Sequence, residues 1–188
     1  IVVKKLLIIN LAKILKNNTE IIFCGWNFDN RKHYSQFENI LINKIMKQRI
    51  SIKQLEPKAY EILYAMENYL STSDLSFQLR ELIKIRASQL NKCAYCIAMH
   101  TKDARKAGES EERIYALSAW EESPLFSQEE RAALALTEEI SFIAQGGVKD
   151  NTFENLQNYF NDNQIAQMII LINQINFWNR IALSTRMK

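Results

Sequence analysis

Glycine, proline, cysteine and histidine are all scarce in this sequence of 188 residues. It contains four glycines and two prolines, too few for the many tight turns of a sheet protein, so a helical fold is favoured. No Gly-x-Gly-x-x-Gly fingerprint, Walker loop or His-Glu-x-x-His motif occurs, so the sequence indicates neither the common nucleotide-binding loops nor a zinc protease. Any chemistry must come from other residues.

The charges nearly balance in the part of the chain where the core is expected. Residues 46–188 carry seventeen basic and eighteen acidic side chains, whereas residues 1–45 carry seven and three. The larger segment has no basic stripe, so nucleic-acid binding is not expected. With 47% hydrophobic residues, the chain has ample material for one globular core.

The first 45 residues differ from the rest in being rich in Ile, Asn and Lys. Three interpretations remain open: a spurious or poorly docked extension upstream of a start at Met46, a docked accessory helix, or an amphipathic helix on a membrane surface. The apolar run from Leu6 is broken by Asn10 and Lys13, so no membrane span is expected, and no convincing signal-peptide pattern follows it. We therefore treat residues 1–45 as a doubtful or accessory extension and expect a cytoplasmic protein.

Residues 46–188 show helical periodicity and helix-capping residues throughout. Pro57 suits a first helical position, and Ser110 and Ser127 are typical N-caps. The predicted helices cover about 57–70, 76–90, 93–107, 110–123, 127–145, 150–160 and 163–184. The inward stripe of the first would be Tyr60, Leu63, Met66 and Leu70. The last is apolar nearly all round, which places it at the centre of the core or against a second subunit.

Two of the three cysteines and one of the two histidines lie close together, at Cys93, Cys96 and His100. At about 100° per residue, these side chains share one sector of a helix about 60° wide. A Cys-x-x-Cys pair at a helix start is suited to closing a disulfide over one turn, and the helix dipole there stabilises a thiolate. The spacing therefore predicts redox chemistry with a base one turn away.

Glu81 joins this group if the helices on either side of residues 91–92 form an antiparallel hairpin. Residues whose numbers sum to about 182 then lie level, which places Glu81 opposite His100. The carboxylate would orient the imidazole, and the imidazole would take the proton of Cys96. Arg86 lies level with Cys96, where it would be either a structural ion-pair partner or a cation that tunes the thiolate.

The run from Glu81 through Cys93 and Cys96 to His100 resembles the core motif of the AhpD-like alkylhydroperoxidase group, within the carboxymuconolactone decarboxylase superfamily. That motif is a glutamate, then Cys-x-x-Cys, then a histidine at fixed spacing. The resemblance covers residues 46–188. It implies an all-α, AhpD-like helical domain that oligomerises through apolar helices into homo-trimers or hexamers.

The resemblance also implies a thiol peroxidase that reduces alkyl hydroperoxides or hydrogen peroxide. Cys96 would attack the peroxide, Cys93 would resolve the sulfenic acid to a disulfide, and His100 and Glu81 would relay protons. No cofactor is implied besides this redox-active disulfide, which a lipoyl-bearing or thioredoxin-like dithiol would re-reduce. The best-known members have a second histidine where this sequence has Tyr95, a hydrogen-bond donor but a poor base, so a shorter relay is expected.

Two questions stay open in the sequence. The helix dipole favours a thiolate at Cys93, whereas the family assigns the attack to Cys96; we favour Cys96, because His100 is near and an exposed Cys93 would meet the reductant. The alternatives to a peroxidase are a disulfide oxidoreductase or redox sensor using the same pair, and a non-catalytic oligomeric scaffold stabilised by zinc. Zinc would need a fourth ligand from Cys24 or His33. Lactone decarboxylation gives no reason for the cysteine pair.

Overall fold

The computed structural model describes residues 47–187, which form helices and no strand. The predicted all-α class is therefore confirmed for this part of the chain. The predictions for residues 1–45, including Cys24 and His33, lie outside the described residues. The helices are α1 (Ile52–Leu55), α2 (Pro57–Ser71), α3 (Phe77–Leu90), α4 (Ala94–Lys106), α5 (Glu111–Ala116), α6 (Gln128–Ser141), α7 (Asp150–Gln157) and α8 (Asp162–Thr185).

Short polar side chains begin the longer helices. Ser76 caps α3 through its hydroxyl. At α6, Ser127 Oγ accepts the Glu130 N–H while the Glu130 carboxylate accepts the Ser127 N–H, and Asn161 and Gln164 make the same reciprocal pair at α8. Each cap satisfies amide groups that a helix start leaves without a partner, and each contributes about 1 kcal/mol.

Helix α8 lies at the centre of the described helices. It packs against α2, α3, α4, α6 and α7, and Met168, Leu171 and Ile172 on it are fully buried. Burying a side chain of this size contributes roughly 1.5–3 kcal/mol to the stability of the fold. This central position explains why α8 is apolar on nearly all of its faces. No helix among residues 47–187 combines the length and hydrophobicity that a membrane span requires.

Several details of the helices differ from the sequence prediction. Helix α1 is not among the predicted helices, and α7 ends at Gln157 and not near residue 160. Helix α5 continues only as the 3₁₀ turn Leu117–Ala119 and stops before Pro124, and α6 ends at Ser141, with Ile143–Gln145 forming a second 3₁₀ turn. Gly146 and Gly147 then turn the chain with positive φ angles. In α2, Met66 is 39% exposed, whereas the next residue, Glu67, is partly buried, and its carboxylate contacts the partly buried Trp178 and Lys84 side chains.

The hairpin between α3 and α4 turns at Asn91 and Lys92. Lys92 has a φ of 58°, in the left-handed region that non-glycine residues seldom occupy. The Asn91 side chain donates to the Ala87 carbonyl and to Asn176 on α8, which ties the turn to the core. The backbone N–H of Cys93 then donates to the Ser88 carbonyl at 2.9 Å, so Cys93 is fixed where α4 begins.

Candidate active site

Cys93 and Cys96 form a disulfide at the start of α4, with their Cα atoms 5.4 Å apart. Cys93 is the N-cap residue, and its Sγ accepts the Cys96 N–H at 3.4 Å. Only 1% of Cys93 and 2% of Cys96 is exposed, because Ala182 and Met187 pack against the pair. The expectation that Cys93 is exposed to a reducing partner is therefore wrong for this disulfide form.

His100 lies one turn after Cys96 and directs its ring at Glu81 on α3. The His100 Nδ1 and Glu81 Oε2 atoms are 2.8 Å apart, and both residues are buried. This is the contact that the hairpin spacing predicts. In the neutral ring, an Nδ1–H that donates to the carboxylate leaves Nε2 as an acceptor of protons. A buried carboxylate in this position holds one tautomer and stabilises the imidazolium when it forms.

Two more charged side chains continue from Glu81. The Lys84 Nζ atom lies 3.4 Å from Glu81 Oε1 and 3.7 Å from Glu67 Oε2 on α2. The other oxygen of Glu67 accepts the Trp178 Nε1–H at 2.7 Å. The sequence patterns predict no part in the site for Lys84, Glu67 or Trp178. The spacing of Glu81 and Lys84, one turn apart on α3, is the sign that could have indicated Lys84.

A cavity of about 160 Å³ lies beside Cys96 and His100. Cys93 does not belong to its wall. An engineered cavity of about 150 Å³ binds benzene, so this one has room for a small organic molecule beside Cys96. Glu67 and His100 supply polar groups, while aromatic and apolar side chains form most of the wall, among them Tyr60, Tyr64, Tyr95, Met99, Ile175 and Trp178.

Three tyrosines give this wall its hydroxyl groups. The Tyr60 ring meets the rings of Tyr64 and Trp178 edge to face, with centroids 5.3 Å apart in each pair. Burial raises the pKa of Tyr60, and the nearby Tyr64 and Tyr95 raise it further, so the Tyr60 hydroxyl stays protonated around neutral pH. Tyr95 therefore lines the cavity as one of several hydrogen-bond donors.

Arg86, the other auxiliary candidate, is occupied elsewhere. Its Nε and a terminal nitrogen each lie 2.8 Å from Glu138 Oε1, the oxygen that also accepts the Trp120 Nε1–H. Arg86 does not line the cavity, and these contacts agree with the structural ion pair. Among residues 47–187, no group of three or more His, Cys, Asp or Glu side chains is placed to hold a metal ion.

Comparison with known proteins identifies the family. Residues 57–139 match the carboxymuconolactone decarboxylase family. The chain is also 45% identical over 139 residues to the protein YdfG of Bacillus subtilis (strain 168), a match that covers 74% of this chain and 95% of YdfG. The chain belongs to the carboxymuconolactone decarboxylase family.

Solved structures relate the chain to AhpD-like members of the carboxymuconolactone decarboxylase family. The protein ATU0492 from Agrobacterium tumefaciens, proposed to be the antioxidant defence protein AhpD, is 40% identical with a TM-score of 0.74; the match covers 76% of this chain and 97% of that one. A cysteine-to-alanine variant of the debrominase Bmp8, bound to 2,3,4-tribromopyrrole, is 15% identical with a TM-score of 0.63, over 89% and 90% of the chains, and so shares the fold. The AhpD-like resemblance is confirmed.

Proposed function

We propose that this protein is a thiol-dependent peroxidase that reduces alkyl hydroperoxides or hydrogen peroxide. One observation carries the proposal: the Cys93–Cys96 disulfide lies one turn from the buried His100–Glu81 pair, where a cavity reaches Cys96. Two cysteines three residues apart at a helix start can cycle between dithiol and disulfide, and an imidazole one turn further along the helix supports proton transfer from a thiol. The similarity to ATU0492 supports the same chemistry.

The first step oxidises Cys96 in the reduced protein. His100 takes the proton of the Cys96 thiol, and Glu81 stabilises the imidazolium. The thiolate attacks one peroxide oxygen, the O–O bond breaks, and the sulfur becomes a sulfenic acid while the peroxide is reduced to an alcohol. The departing alkoxide takes its proton from His100.

The second step closes the disulfide. The Cys93 sulfur attacks the Cys96 sulfur, and the sulfenic oxygen leaves as water. An external dithiol, either lipoyl-bearing or thioredoxin-like, then supplies two electrons and two protons to restore both thiols. Because Cys96 lines the cavity and Cys93 does not, we expect the reductant to attack Cys96. No step requires a bound cofactor.

A homo-oligomer in the cytoplasm belongs to the same proposal. Large apolar side chains on α2 and α8 are exposed, including Ile62 at 71%, Phe177 at 47% and Leu183 at 46%. Exposed apolar surface of this kind supports an interface with other copies of this chain. Such an interface is what a trimer or hexamer would need. Equilibrium sedimentation of the reduced protein measures the assembly directly.

Titration of the reduced protein with cumene hydroperoxide, followed by mass spectrometry, tests the roles. The wild-type protein should lose two thiols per peroxide and gain the disulfide. Cys93→Ser should accumulate a sulfenic acid on Cys96 that dimedone traps, and Cys96→Ser should consume no peroxide. Cys24→Ser, the matched control, should turn over like the wild type. Turnover by Cys93→Ser without a trapped adduct on Cys96 would show the assignment to be wrong.

The cavity supports a second candidate, reductive removal of a halogen from a small aromatic compound. Its aromatic wall beside Cys96 and the fold shared with the debrominase Bmp8 favour this reaction. The two thiols would replace bromine by hydrogen, releasing bromide and a proton and forming the disulfide. Bromide release from 2,3,4-tribromopyrrole, measured beside peroxide consumption, separates the two reactions. A disulfide oxidoreductase or redox sensor would show neither, but would exchange disulfides with a dithiol.

A further inference from the structure

A continuous chain of polar groups runs behind the cavity. Its contacts join His100 to Glu81 at 2.8 Å, Glu81 to Lys84 at 3.4 Å, Lys84 to Glu67 at 3.7 Å and Glu67 to Trp178 at 2.7 Å. It begins and ends at residues that line the cavity, and it connects α4, α3, α2 and α8. Each carboxylate uses one oxygen for each neighbour. The proposed peroxidase steps use only the first two members.

Lys84 supplies the ammonium group in the middle of this chain. Its side chain is 14% exposed, and the two carboxylates are the ion-pair partners of its ammonium within residues 47–187. Taking an ammonium out of water and restricting a flexible lysine both cost free energy, so this placement depends on the two opposite charges. Without Lys84, Glu67 and Glu81 would lose the cation that they share.

We propose that Lys84 is a positioning residue for the peroxidase reaction. It holds Oε1 of Glu81, so that Oε2 stays directed at His100. A glutamate side chain has three rotatable bonds, and a single contact to the imidazole leaves its carboxylate able to turn; the second contact fixes it. Displacement of a catalytic group by about 1 Å costs up to about 100-fold in rate. Glu67 anchors the ammonium at the cavity wall.

This inference rests on the proposed function, and a network that only tied helices together would explain the same contacts. The two explanations differ in what Lys84→Met does to the folded protein. We expect kcat to fall about tenfold with KM within about twofold, because the catalytic pair and not substrate binding is disturbed. Lys84→Arg keeps the charge and should restore most of kcat. A structural tie would lower the melting temperature and leave kcat unchanged.

A double-mutant cycle with Glu81→Gln identifies the route of the effect. If Lys84 acts through the Glu81 carboxylate, Lys84→Met should change kcat less than about twofold when Glu81→Gln is already present. Equal losses in both backgrounds would overturn the proposal. The matched control is Lys149→Met, which removes a lysine 3.4 Å from Glu139 but away from the cavity, and it should leave kcat unchanged.

Alkylation of Cys96 gives a readout that does not depend on peroxide turnover. In a protein carrying Cys24→Ser and Cys93→Ser, iodoacetamide at pH 7 should react with Cys96 several-fold more slowly after Lys84→Met, and not after Lys84→Arg.

If the wild type consumes no peroxide but this dependence of the alkylation rate on Lys84 is present, the peroxidase proposal fails and the positioning role stands. If Lys84→Met does not fold, Glu67→Gln takes its place in these experiments. We expect Glu67→Gln to lower kcat about threefold in the wild-type protein and to leave kcat unchanged in the Glu81→Gln protein. An unchanged alkylation rate in folded Lys84→Met would overturn the positioning role.

Discussion

Replacing Glu81 by glutamine removes one charge from the site and leaves its shape nearly unchanged. The amide oxygen still accepts the His100 Nδ1–H, but a hydrogen bond to a charged group contributes about 1.5–3 kcal/mol, against about 1 kcal/mol for a neutral one. The difference of about 0.5–2 kcal/mol acts on the imidazolium that forms during the reaction. At about 1.4 kcal/mol per tenfold change, it lowers the rate roughly 2- to 30-fold.

A second effect adds to this loss. If the amide nitrogen turns toward His100, the ring takes the tautomer that leaves no acceptor for the Cys96 proton. We therefore expect kcat/KM for cumene hydroperoxide, measured with a coupled dithiol, to fall about 10- to 100-fold. Lys84 keeps its contact with Glu67, so the melting temperature should fall only by a few degrees.

Glu138→Gln is the matched control for this prediction. Glu138 is partly buried and, like Glu81, accepts from nitrogen donors, here on Arg86 and Trp120, but it does not line the cavity. The same chemical change should cost stability there, about 1–3 kcal/mol, and leave kcat/KM within about twofold. A Glu81→Gln protein that turns over within twofold of the wild type, while Cys96→Ser is inactive, would refute the role of the carboxylate.

Three further predictions concern access, the relay and the core. Met187→Ala uncovers the disulfide, so dithiothreitol should release thiols several-fold faster; an unchanged rate would show that Met187 does not limit access. Tyr95→His adds an imidazole to the cavity wall. If proton transfer is the rate-limiting step, the rate of peroxide consumption at pH 7 should rise several-fold. An unchanged rate would show that another step is rate-limiting. Leu171→Ala should lower the free energy of unfolding in urea by about 2–5 kcal/mol; a loss under 1 kcal/mol would contradict its central packing.

The sequence predicts what local rules decide. Caps such as Ser110 and Ser127 mark helix starts because they act on amides within three residues. The contact of Glu81 with His100 follows as well, since a two-residue turn leaves little freedom in the register of α3 and α4. Both predictions rest on short separations along the chain.

Contacts between distant segments are what the sequence could not supply. Glu67 and Trp178 are 111 positions apart, and only the packing of α2 on α8 brings them together. Periodicity assigned the inward position to Met66, because hydrophobicity alone gives no reason to bury a glutamate whose partners lie elsewhere in the chain. The burial of Cys93 likewise depends on Met187, which packs against the disulfide. The backbone of Arg186 adopts the left-handed conformation, and the Met187 N–H donates to the Ala182 carbonyl, so the chain reverses after α8.

That burial reconciles the helix dipole with the assignment of the peroxide attack to Cys96. The start of α4 favours a negative sulfur at Cys93, and a stabilised thiolate is a good leaving group. When a dithiol attacks Cys96 through the cavity, Cys93 is the sulfur that departs, so the dipole assists reduction of the disulfide. In the proposed cycle, His100 assists oxidation at Cys96 instead. Cys96 would then meet both peroxide and reductant, while Cys93 stays covered and is exchanged within the protein. A mixed disulfide with a monothiol probe should therefore form on Cys96.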